Sequence, residues 1–349
     1  MEHEKINILD LDYAELEQKL KDINQPAFRA QQICDWLYKK LVFDLDAMSN
    51  LSQSLKDSLE KGFLIYMPQI THVDHSPVDN SYKFLLQTND DKLIEAILMP
   101  EKGRYTICVS CMIGCPLRCR FCATGSQIGF IRRLTTAEVI GQVLAILQYA
   151  KGHIDMRRMP NIVFMGMGEP LLNLEVVERT IDLLTHPRCL ALSPSKISVS
   201  TAGVNTGIAA FIEKTKVRLA VSLHFTNNEL RSTYMPVNKS FSLDELMQEL
   251  KKVKLKKRDY ILIEYIMLGG INDSLVHAKQ LLSLVANLKV KINLIPYNPT
   301  QTFPAEKSSE EAISAFMQYL NGKGIFTSVR RSKGIDVDGG CGQFALKKK

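Results

Sequence analysis

The sequence lacks the features that would direct it to a membrane or to a disulfide-rich class of protein. Its longest apolar stretch, around Val139 to Ala150, is too short and too amphipathic to span a bilayer. The first twenty residues contain no basic segment followed by an apolar run, so we expect no signal peptide. Hydrophobic residues make up 46% of the 349-residue chain, enough to bury a core without disulfides. We therefore expect a cytoplasmic protein whose eight cysteines serve metal or redox chemistry.

The net charge of +7 is modest and unevenly spread along the chain. Residues 1–24 are acidic, whereas basic residues cluster at Arg132–Arg133, 251–258, 330–333 and Lys347–Lys349. Clustered lysines and arginines suit an RNA partner, because phosphate contacts release counterions. A run such as 251–258 is more often a solvated helix end, so charge alone does not identify a partner.

Three cysteines at spacings of four and three residues, Cys115, Cys119 and Cys122, form the most informative motif. No fourth cysteine continues that spacing, although zinc sites and electron-transfer clusters usually take four protein ligands. Three ligands would leave one iron of a [4Fe–4S] cluster open to the amino and carboxylate groups of S-adenosylmethionine. The alternative is a structural zinc site completed by Cys108 or Cys111.

After Tyr105 the sequence alternates between strand and helix patterns. Predicted strands are Tyr105–Val109, Asn161–Met165, Lys196–Ser200, Arg218–Ser222, Tyr260–Met267 and Lys289–Ile295. Predicted helices cover 136–149, 175–184, 207–214, 243–254, 275–286 and 309–321. Six such units predict the α/β class and a parallel sheet curved into a partial (βα)6 barrel, with the active site at the carboxyl ends of the strands.

The chain divides into three predicted regions. Residues 1–65 read as a helical accessory domain, 66–100 as a short-stranded extension, and 101–349 as the catalytic core with a C-terminal cysteine segment. Trp36, the only tryptophan, is expected in the helical core. This small basic domain could bind RNA or could serve only to cover the core. Glu95 interrupts an apolar strand, which favours the solvent face over a carboxylate aimed into a site.

Polar residues follow several predicted strands. Glu169 ends the glycine-rich turn Gly166–Pro170, and Gly168 there allows a ligand to approach the backbone. The other strand-end residues are Ser200, Ser222, Leu223, His224 and Asn298. Cys341 is flanked by glycines, which favours a reactive thiol over a buried structural one, whereas Cys34 and Cys189 have no such context.

These motifs, in their order from Cys108-Val109-Ser110 through Gly114–Gly125 and Met165–Pro170 to Cys341-Gly342-Gln343, resemble the RlmN/Cfr family of radical SAM RNA methyltransferases, most closely its RlmN branch. The resemblance implies a [4Fe–4S] cluster held by Cys115, Cys119 and Cys122. It implies S-adenosylmethionine bound by Gly168, Glu169, Ser200, Ser222, Leu223, His224 and Asn298. It makes Cys341 the methyl-carrying cysteine, Cys108 the thiol that resolves the protein–RNA adduct, and Glu95 the proton acceptor.

The resemblance also implies the reaction and the partners. Carbon 2 of an adenine in the peptidyl-transferase loop of 23S rRNA, and of the adenine 3′ of the tRNA anticodon, would be methylated through methyl-Cys341. Release of RNA would leave a transient Cys108–Cys341 disulfide, reset by a reductant such as flavodoxin or ferredoxin. We expect a monomer with no membrane partner. Methylation of carbon 8, as in Cfr, and a non-catalytic metal-stabilised RNA-binding protein are the alternatives.

One residue departs from the family pattern. Cys111 stands where the family has serine. It could ligate iron, form an off-pathway disulfide or share the role of Cys108; we expect Cys108 to be the resolving thiol.

Overall fold

The computed structural model describes residues 5–101, 103–154, 158–300 and 302–346. Its first region is a small helical layer closed by two short parallel strands. Its elements are β1 Ile6–Asn7, α1 Tyr13–Asp22, α2 Phe28–Cys34, α3 Gln53–Gly62 and β2 Phe63–Leu64. The helix begun by α2 continues as a π-helix, Asp35–Lys40. Trp36 lies in that segment, buried, and its indole N–H donates to Asn50 Oδ1 at 2.5 Å. The prediction that Trp36 packs in the core is confirmed.

The three antiparallel strands that follow belong to the main sheet. They are β3 Gln69–His75, β4 Tyr82–Gln87 and β5 Leu93–Glu101. The apolar runs Tyr82–Leu86 and Leu93–Leu98, separated by the turn 89–91, predict the β4–β5 hairpin. Strand β3 was not, because it is a half-exposed edge strand with a largely polar sequence. The division of the chain at residues 65 and 100 remains a prediction, since β5 pairs directly with the first strand of the core.

The core alternates strands and helices as predicted. Its elements are β6 Arg104–Val109, β7 Met112–Gly114, β8 Phe130–Arg133, α4 Thr136–His153, β9 Asn161–Phe164, α5 Leu174–Thr185, β10 Ile197–Thr201, α6 Ile208–Thr215, β11 Arg218–Ser222, α7 Asn228–Tyr234, α8 Leu243–Lys252, β12 Ile261–Met267, α9 Leu275–Val285, β13 Val290–Pro296, α10 Glu310–Gly322 and β14 Thr327–Val329. The six predicted strands and six predicted helices are all present. Strand β14 and helix α7 were missed because each is too short to show a periodic pattern.

Within the described ranges, ten strands form one sheet in the order β14-β13-β12-β11-β10-β9-β6-β5-β4-β3. The strands from β14 to β6 are parallel, and at least one helix connects each of them to the next. Strands β5, β4 and β3 continue the sheet in antiparallel fashion. The predicted α/β partial barrel is confirmed, with one more parallel strand than expected. All the carboxyl ends of its parallel strands open on the same edge.

Helix α4 connects the helical layer to the barrel. The segment Thr135-Thr136-Ala137-Glu138 predicts a capping box, and the helix begins with one: Thr135 and Glu138 cap each other's backbone. Gly141 lies against residue 67 so closely that a Cβ would come within 2.7 Å of Met67 Cβ. Gln142 exchanges hydrogen bonds of 2.9 Å with the backbone N–H and C=O of Ser110. The helix thereby fixes the chain just before the cysteine motif.

The basic clusters have different environments. Arg132 bridges Asp90 and Glu138, so it stabilises the fold locally. Helix α8 ends at Lys252, and the lysines that follow are exposed, as in a solvated helix end. Lys347–Lys349 lie outside the described residues. No described helix has the length and apolarity needed to cross a membrane.

Candidate active site

The cysteine motif is presented by the β7–β8 hairpin. Gly114, the last residue of β7, has φ +75°, and the Cys115 N–H donates to Gly129 O at 2.7 Å. The chain then turns through Arg118, at φ +52°, before a short π-helix begins at Thr124. This compact loop is why three cysteines close in sequence can face one cavity.

A cavity of about 160 Å³ lies between this loop and the carboxyl ends of the parallel strands; we call it the cysteine cavity. The three motif cysteines line it together, and all three are free thiols. Burial raises the pKa of Cys115 to about 12 and that of Cys119 well above its usual range. Buried thiols of this kind become good thiolate ligands only when a cation compensates their charge, which is what iron provides.

The strand-end residues line the same cavity. Its remaining walls include Gly168, Glu169, Ser200, Ser222, His224, Asn298 and Cys341. The hydroxyl oxygens of Ser200 and Ser222 are 3.4 Å apart on neighbouring strands. Leu223 does not line the cavity; its N–H donates to Val221 O and Glu264 O behind the wall. Six of the seven predicted ligand-binding residues thus meet at one surface.

Glu169 and His224 have strongly perturbed environments. Glu169 is buried, and its two carboxylate oxygens accept from the N–H groups of Leu171 at 3.1 Å and Ala202 at 2.7 Å. Burial raises the pKa of Glu169 to about 7. His224 Nδ1 accepts from the Ile266 N–H at 3.1 Å, so the ring proton is on Nε2. Burial, together with the charge of Arg231, lowers the pKa of His224 to about 3, and the ring is neutral.

Residues 334–346, which we call the strap, cross the barrel and carry Cys341. The strap is anchored at one end by Gly334, whose N–H donates to Asp79 Oδ2 at 2.8 Å. In its middle, Asn298 Nδ2 donates to Cys341 O at 3.1 Å. The Ala123 N–H donates to Gly342 O at 2.7 Å, tying the strap to the cysteine loop. Cys341 is exposed within the site, as its flanking glycines predicted.

A second, larger cavity of about 600 Å³ runs along the inner face of the sheet; we call it the barrel cavity. Cys108, on β6, lines it, and so does Cys341, which also lines the cysteine cavity. Burial raises the pKa of Cys108 to about 12. Both thiols are free, so the expected disulfide between them is not formed in this state. Cys341 stands where the two cavities meet.

Glu95 is not on the solvent face, and that prediction is wrong. Its side chain is fully buried and forms an ion pair with Lys83, with 2.7 Å between Lys83 Nζ and Glu95 Oε1. Its other oxygen, Oε2, accepts from the Leu346 N–H at 3.0 Å. Period-two alternation could not reveal this, because both faces of β5 are covered. Glu95 lines neither cavity; it holds the end of the strap.

Arg231, on α7, is a buried residue that the sequence patterns did not identify. Its guanidinium donates to Leu223 O at 3.2 Å, Ala202 O at 2.6 Å and Asn238 Oδ1 at 3.0 Å. It therefore fixes two of the loops that line the cysteine cavity. The sequence offers one weak indication of this role: Arg231 follows the strand-end residues Ser222 to His224 by only a few positions.

Gly114→Ala is expected to disrupt the cysteine loop. A Cβ at residue 114 would lie 1.7 Å from Gly129 O, so the hairpin must open, at a cost of about 1–3 kcal/mol. Gly324→Ala, in the turn after α10, is the matched control: its φ of +82° is similar, but nothing lies within 4 Å of its Cβ. Iron content and visible absorbance after anaerobic reconstitution should fall several-fold for G114A. Equal cluster content in the two variants would contradict this prediction.

Comparisons with known proteins decide the family. A family described as "Ribosomal RNA large subunit methyltransferase N-terminal domain" matches residues 6–65, and the "Radical SAM superfamily" matches residues 109–282. A protein of Lawsonia intracellularis named "Dual-specificity RNA methyltransferase RlmN" is 44% identical over 346 residues, covering 97% of this chain and 96% of its own. The chain belongs to the RlmN family. A relative of the same name from Oleidesulfovibrio alaskensis is 43% identical, covering 97% and 96%.

A solved structure agrees with the fold over nearly the full length of the chain. The radical SAM methyltransferase from Sphaerobacter thermophilus matches with a TM-score of 0.92 and 36% identity, covering 98% of this chain and 100% of its own. As a member of the RlmN family, the protein is a radical SAM methyltransferase that uses a [4Fe–4S] cluster and S-adenosylmethionine. The non-catalytic alternative is therefore wrong.

The donor set fits such a cluster better than a zinc ion. In the described ranges, no three His, Cys, Asp or Glu side chains surround a point where one metal ion could bind. A zinc ion needs that convergence, whereas the three cysteines of a cubic cluster each bind a different iron. Cys108 and Cys111 do not line the cysteine cavity. Cys111 is buried behind Gly168, with its thiol directed to Met167 O at 3.7 Å.

Proposed function

We propose that this enzyme methylates carbon 2 of adenine in 23S rRNA and in tRNA, using Cys341 as the methyl carrier. The observation that carries the proposal is the position of Cys341 at the junction of the two cavities. From there one thiol can meet a cofactor beside the three motif cysteines and an RNA base in the barrel cavity. The dual-specificity activity of the named relatives supports the choice of RNA substrates.

Cys115, Cys119 and Cys122 would hold the cluster, which together with S-adenosylmethionine supplies the methyl group and the 5′-deoxyadenosyl radical. Glu169 would accept a hydrogen bond from the ammonium group of S-adenosylmethionine, since this carboxylate lines the cysteine cavity. Neutral His224 can donate from Nε2 without repelling the sulfonium. Gly168, Ser200, Ser222 and Asn298 would complete the binding surface, with Leu223 supporting it from behind through the hydrogen bond to Arg231.

Cys341 would take the methyl group as a thiolate nucleophile and later carry the adenine adduct. Cys108 would then attack the Cys341 sulfur, which explains why both thiols line one cavity. Glu95 would accept the ring proton. Because its carboxylate is engaged by Lys83 and the Leu346 N–H, that step requires the strap end to release it.

The test is an anaerobic turnover assay with the reconstituted enzyme, S-adenosylmethionine, a reductant such as flavodoxin or ferredoxin, and separate rRNA and tRNA transcripts. Digested nucleosides are analysed by mass spectrometry. We expect 2-methyladenosine from both RNAs, together with 5′-deoxyadenosine. A methyl group at carbon 8 would instead assign the Cfr reaction. Cleavage of S-adenosylmethionine without RNA methylation would overturn the substrate assignment.

The N-terminal layer, residues 1–65, is proposed to bind the RNA. Phe28 is 57% exposed with the Arg29 guanidinium over its ring, and Lys40 lies over the Trp36 ring. Phe28 thus offers an exposed ring on which a base could stack, and Arg29 and Lys40 offer cations for phosphates.

Replacing Arg29 and Lys40 by glutamine is therefore expected to weaken RNA binding. Each phosphate that is no longer neutralised should reduce the slope of log affinity against log salt by about 0.7–0.9. Lys323→Gln, at the end of α10 in the core, is the control for the removal of one positive charge elsewhere on the surface. The affinity for tRNA would be measured at several salt concentrations. An unchanged slope in the double variant would rule out this binding surface.

A further inference from the structure

An ion pair stands in the wall between the two cavities. Arg330 follows β14 directly, and its Nη1 donates to Glu264 Oε1 at 3.0 Å and to Met165 Sδ at 3.7 Å. Glu264, on β12, is buried and faces the cysteine cavity. The Arg330 side chain lines the barrel cavity together with Cys108 and Cys341. The roles assigned above to the cluster, to S-adenosylmethionine binding and to methyl transfer include neither member of this pair.

Cys108 needs activation if it is to act as a nucleophile. Burial, together with the nearby Cys341 thiol, raises its pKa to about 12. At that pKa only a minute fraction is thiolate at neutral pH. The charged or polar groups that face Cys108 are Cys341 from the strap, Arg330 after β14, Glu264 on β12 and the backbone at Met165. Among these, Arg330 carries the positive charge, and its attraction outweighs the repulsion from Glu264.

We propose that Arg330, held in place by Glu264, is a positioning residue that stabilises the Cys108 thiolate for release of the RNA adduct. The inference rests on the proposed function. In the step concerned, Cys108 thiolate attacks the Cys341 sulfur and forms an S–S bond. The Cys341 S–C bond to the adduct methylene breaks, and its electron pair goes to the carbon, which takes up a proton and becomes the methyl group. The two sulfurs are oxidised and the carbon is reduced by the same two electrons.

The neighbouring cations, Arg331 and Lys333, have other partners, so we assign the stabilisation of the Cys108 thiolate to Arg330. Arg331 is exposed and forms a two-fold ion pair with Glu310, with N–O distances of 3.0 and 2.6 Å. The Lys333 ammonium donates to Pro100 O. Arg331 therefore offers a matched control of the same residue type, one position away and directed to a different carboxylate.

The test is a single-turnover experiment with reconstituted enzyme and RNA, in which decay of the covalent protein–RNA adduct is followed from pH 6 to 9. Arg330→Gln keeps a hydrogen-bond donor for Glu264 but removes the charge. We expect adduct decay to slow at least about tenfold at each pH from 6 to 9, because a rise of about one unit or more in the Cys108 pKa lowers the thiolate fraction by that factor throughout this range. Arg330→Lys should recover most of the rate, and Arg331→Gln should decay as the wild type does.

Three results would overturn the inference: wild-type decay in R330Q, an equal shift in R331Q, or failure of R330K to recover. If Arg330 acted through its shape and not its charge, R330K would fail to recover the rate. Cluster absorbance and S-adenosylmethionine cleavage report that each variant is folded and loaded.

A measurement on the wild type alone keeps the inference testable if R330Q does not fold. Cys111 is a buried thiol three residues away, and burial together with the Glu169 carboxylate raises its pKa well above the usual range. Alkylation of the two cysteines in the holoenzyme at pH 7 to 9, followed by peptide mass spectrometry, should label Cys108 faster than Cys111. Equal labelling rates would refute the activation by Arg330. Because this readout needs no RNA, it separates failure of the inference from failure of the proposed function.

Discussion

Replacing Cys341 by alanine is expected to abolish RNA methylation while leaving the cofactors bound. Within the strap, Cys341 supplies the nucleophile that faces both cavities, and its removal deletes the atom to which the methyl group is transferred. The rate should fall by at least about four orders of magnitude, as when other covalent nucleophiles are removed. Methylated nucleosides would be quantified by mass spectrometry after anaerobic turnover.

The control is Cys189→Ala. Cys189 is a buried thiol whose sulfur lies 4.0 Å from that of Cys34, far along the chain from the strap. Its replacement should leave methylation close to wild type and lower only stability. Methylation by C341A at a measurable fraction of the wild-type rate would remove the basis of the proposed function. The iron content of C341A should be unchanged, because the three motif cysteines remain.

Replacing Lys83 by methionine is expected to cause the largest loss of stability. Lys83 and Glu95 are 1% and 0% exposed, so the variant leaves a carboxylate buried without its cation. Removing one partner of such a pair costs about 3–5 kcal/mol. The free energy of unfolding would be measured by urea titration of the apoprotein.

The pH dependence of this effect has a definite sign. Burial already raises the pKa of Glu95 above its usual range, and Lys83 opposes that rise. Without Lys83 the folded-state pKa is higher still, so the folded protein holds a proton that the unfolded chain has lost. The stability of K83M should therefore fall as the pH rises from the unfolded pKa of Glu through the raised folded value. It should be least destabilised at acidic pH.

Two further variants isolate the ion pair. Lys83→Met combined with Glu95→Gln should recover most of the stability, because the buried charge is gone. Lys39→Met breaks an exposed pair with Asp35 and should change the free energy of unfolding little. A K83M protein as stable as K39M would show that the buried pair contributes nothing.

The helices and strands were predictable where a side-chain pattern repeats. Helix α4 shows both a capping box and an apolar stripe, and the structure begins it at Thr136 as expected. The cysteine motif was equally clear, because its ligands are local in sequence. Ser200, Ser222 and Asn298 could be predicted to share one site only because the carboxyl ends of parallel strands lie on the same edge of the sheet.

The pairings between distant residues could not be predicted. Glu95 was expected on the solvent face because alternation says nothing about which layer covers a strand. Arg330 and Glu264 are 66 positions apart, and their contact depends on β14, whose three residues carry no pattern of their own. The same limit applies to Leu223, whose position behind the cavity wall depends on a local turn that a strand-end rule cannot resolve.

The anchors of the strap have a consequence for the order in which the molecule folds. Ser76 Oγ donates to Asp336 Oδ1 across 260 positions of the chain, and Glu95 accepts from Leu346 across 251. The strands beneath pair with sequence neighbours, so their loops close at a much lower entropic cost. Strap closure therefore comes late in folding. Until then the loop that carries Cys115, Cys119 and Cys122 is uncovered, which opens an interval for iron and sulfide to be inserted before Gly342 docks on Ala123.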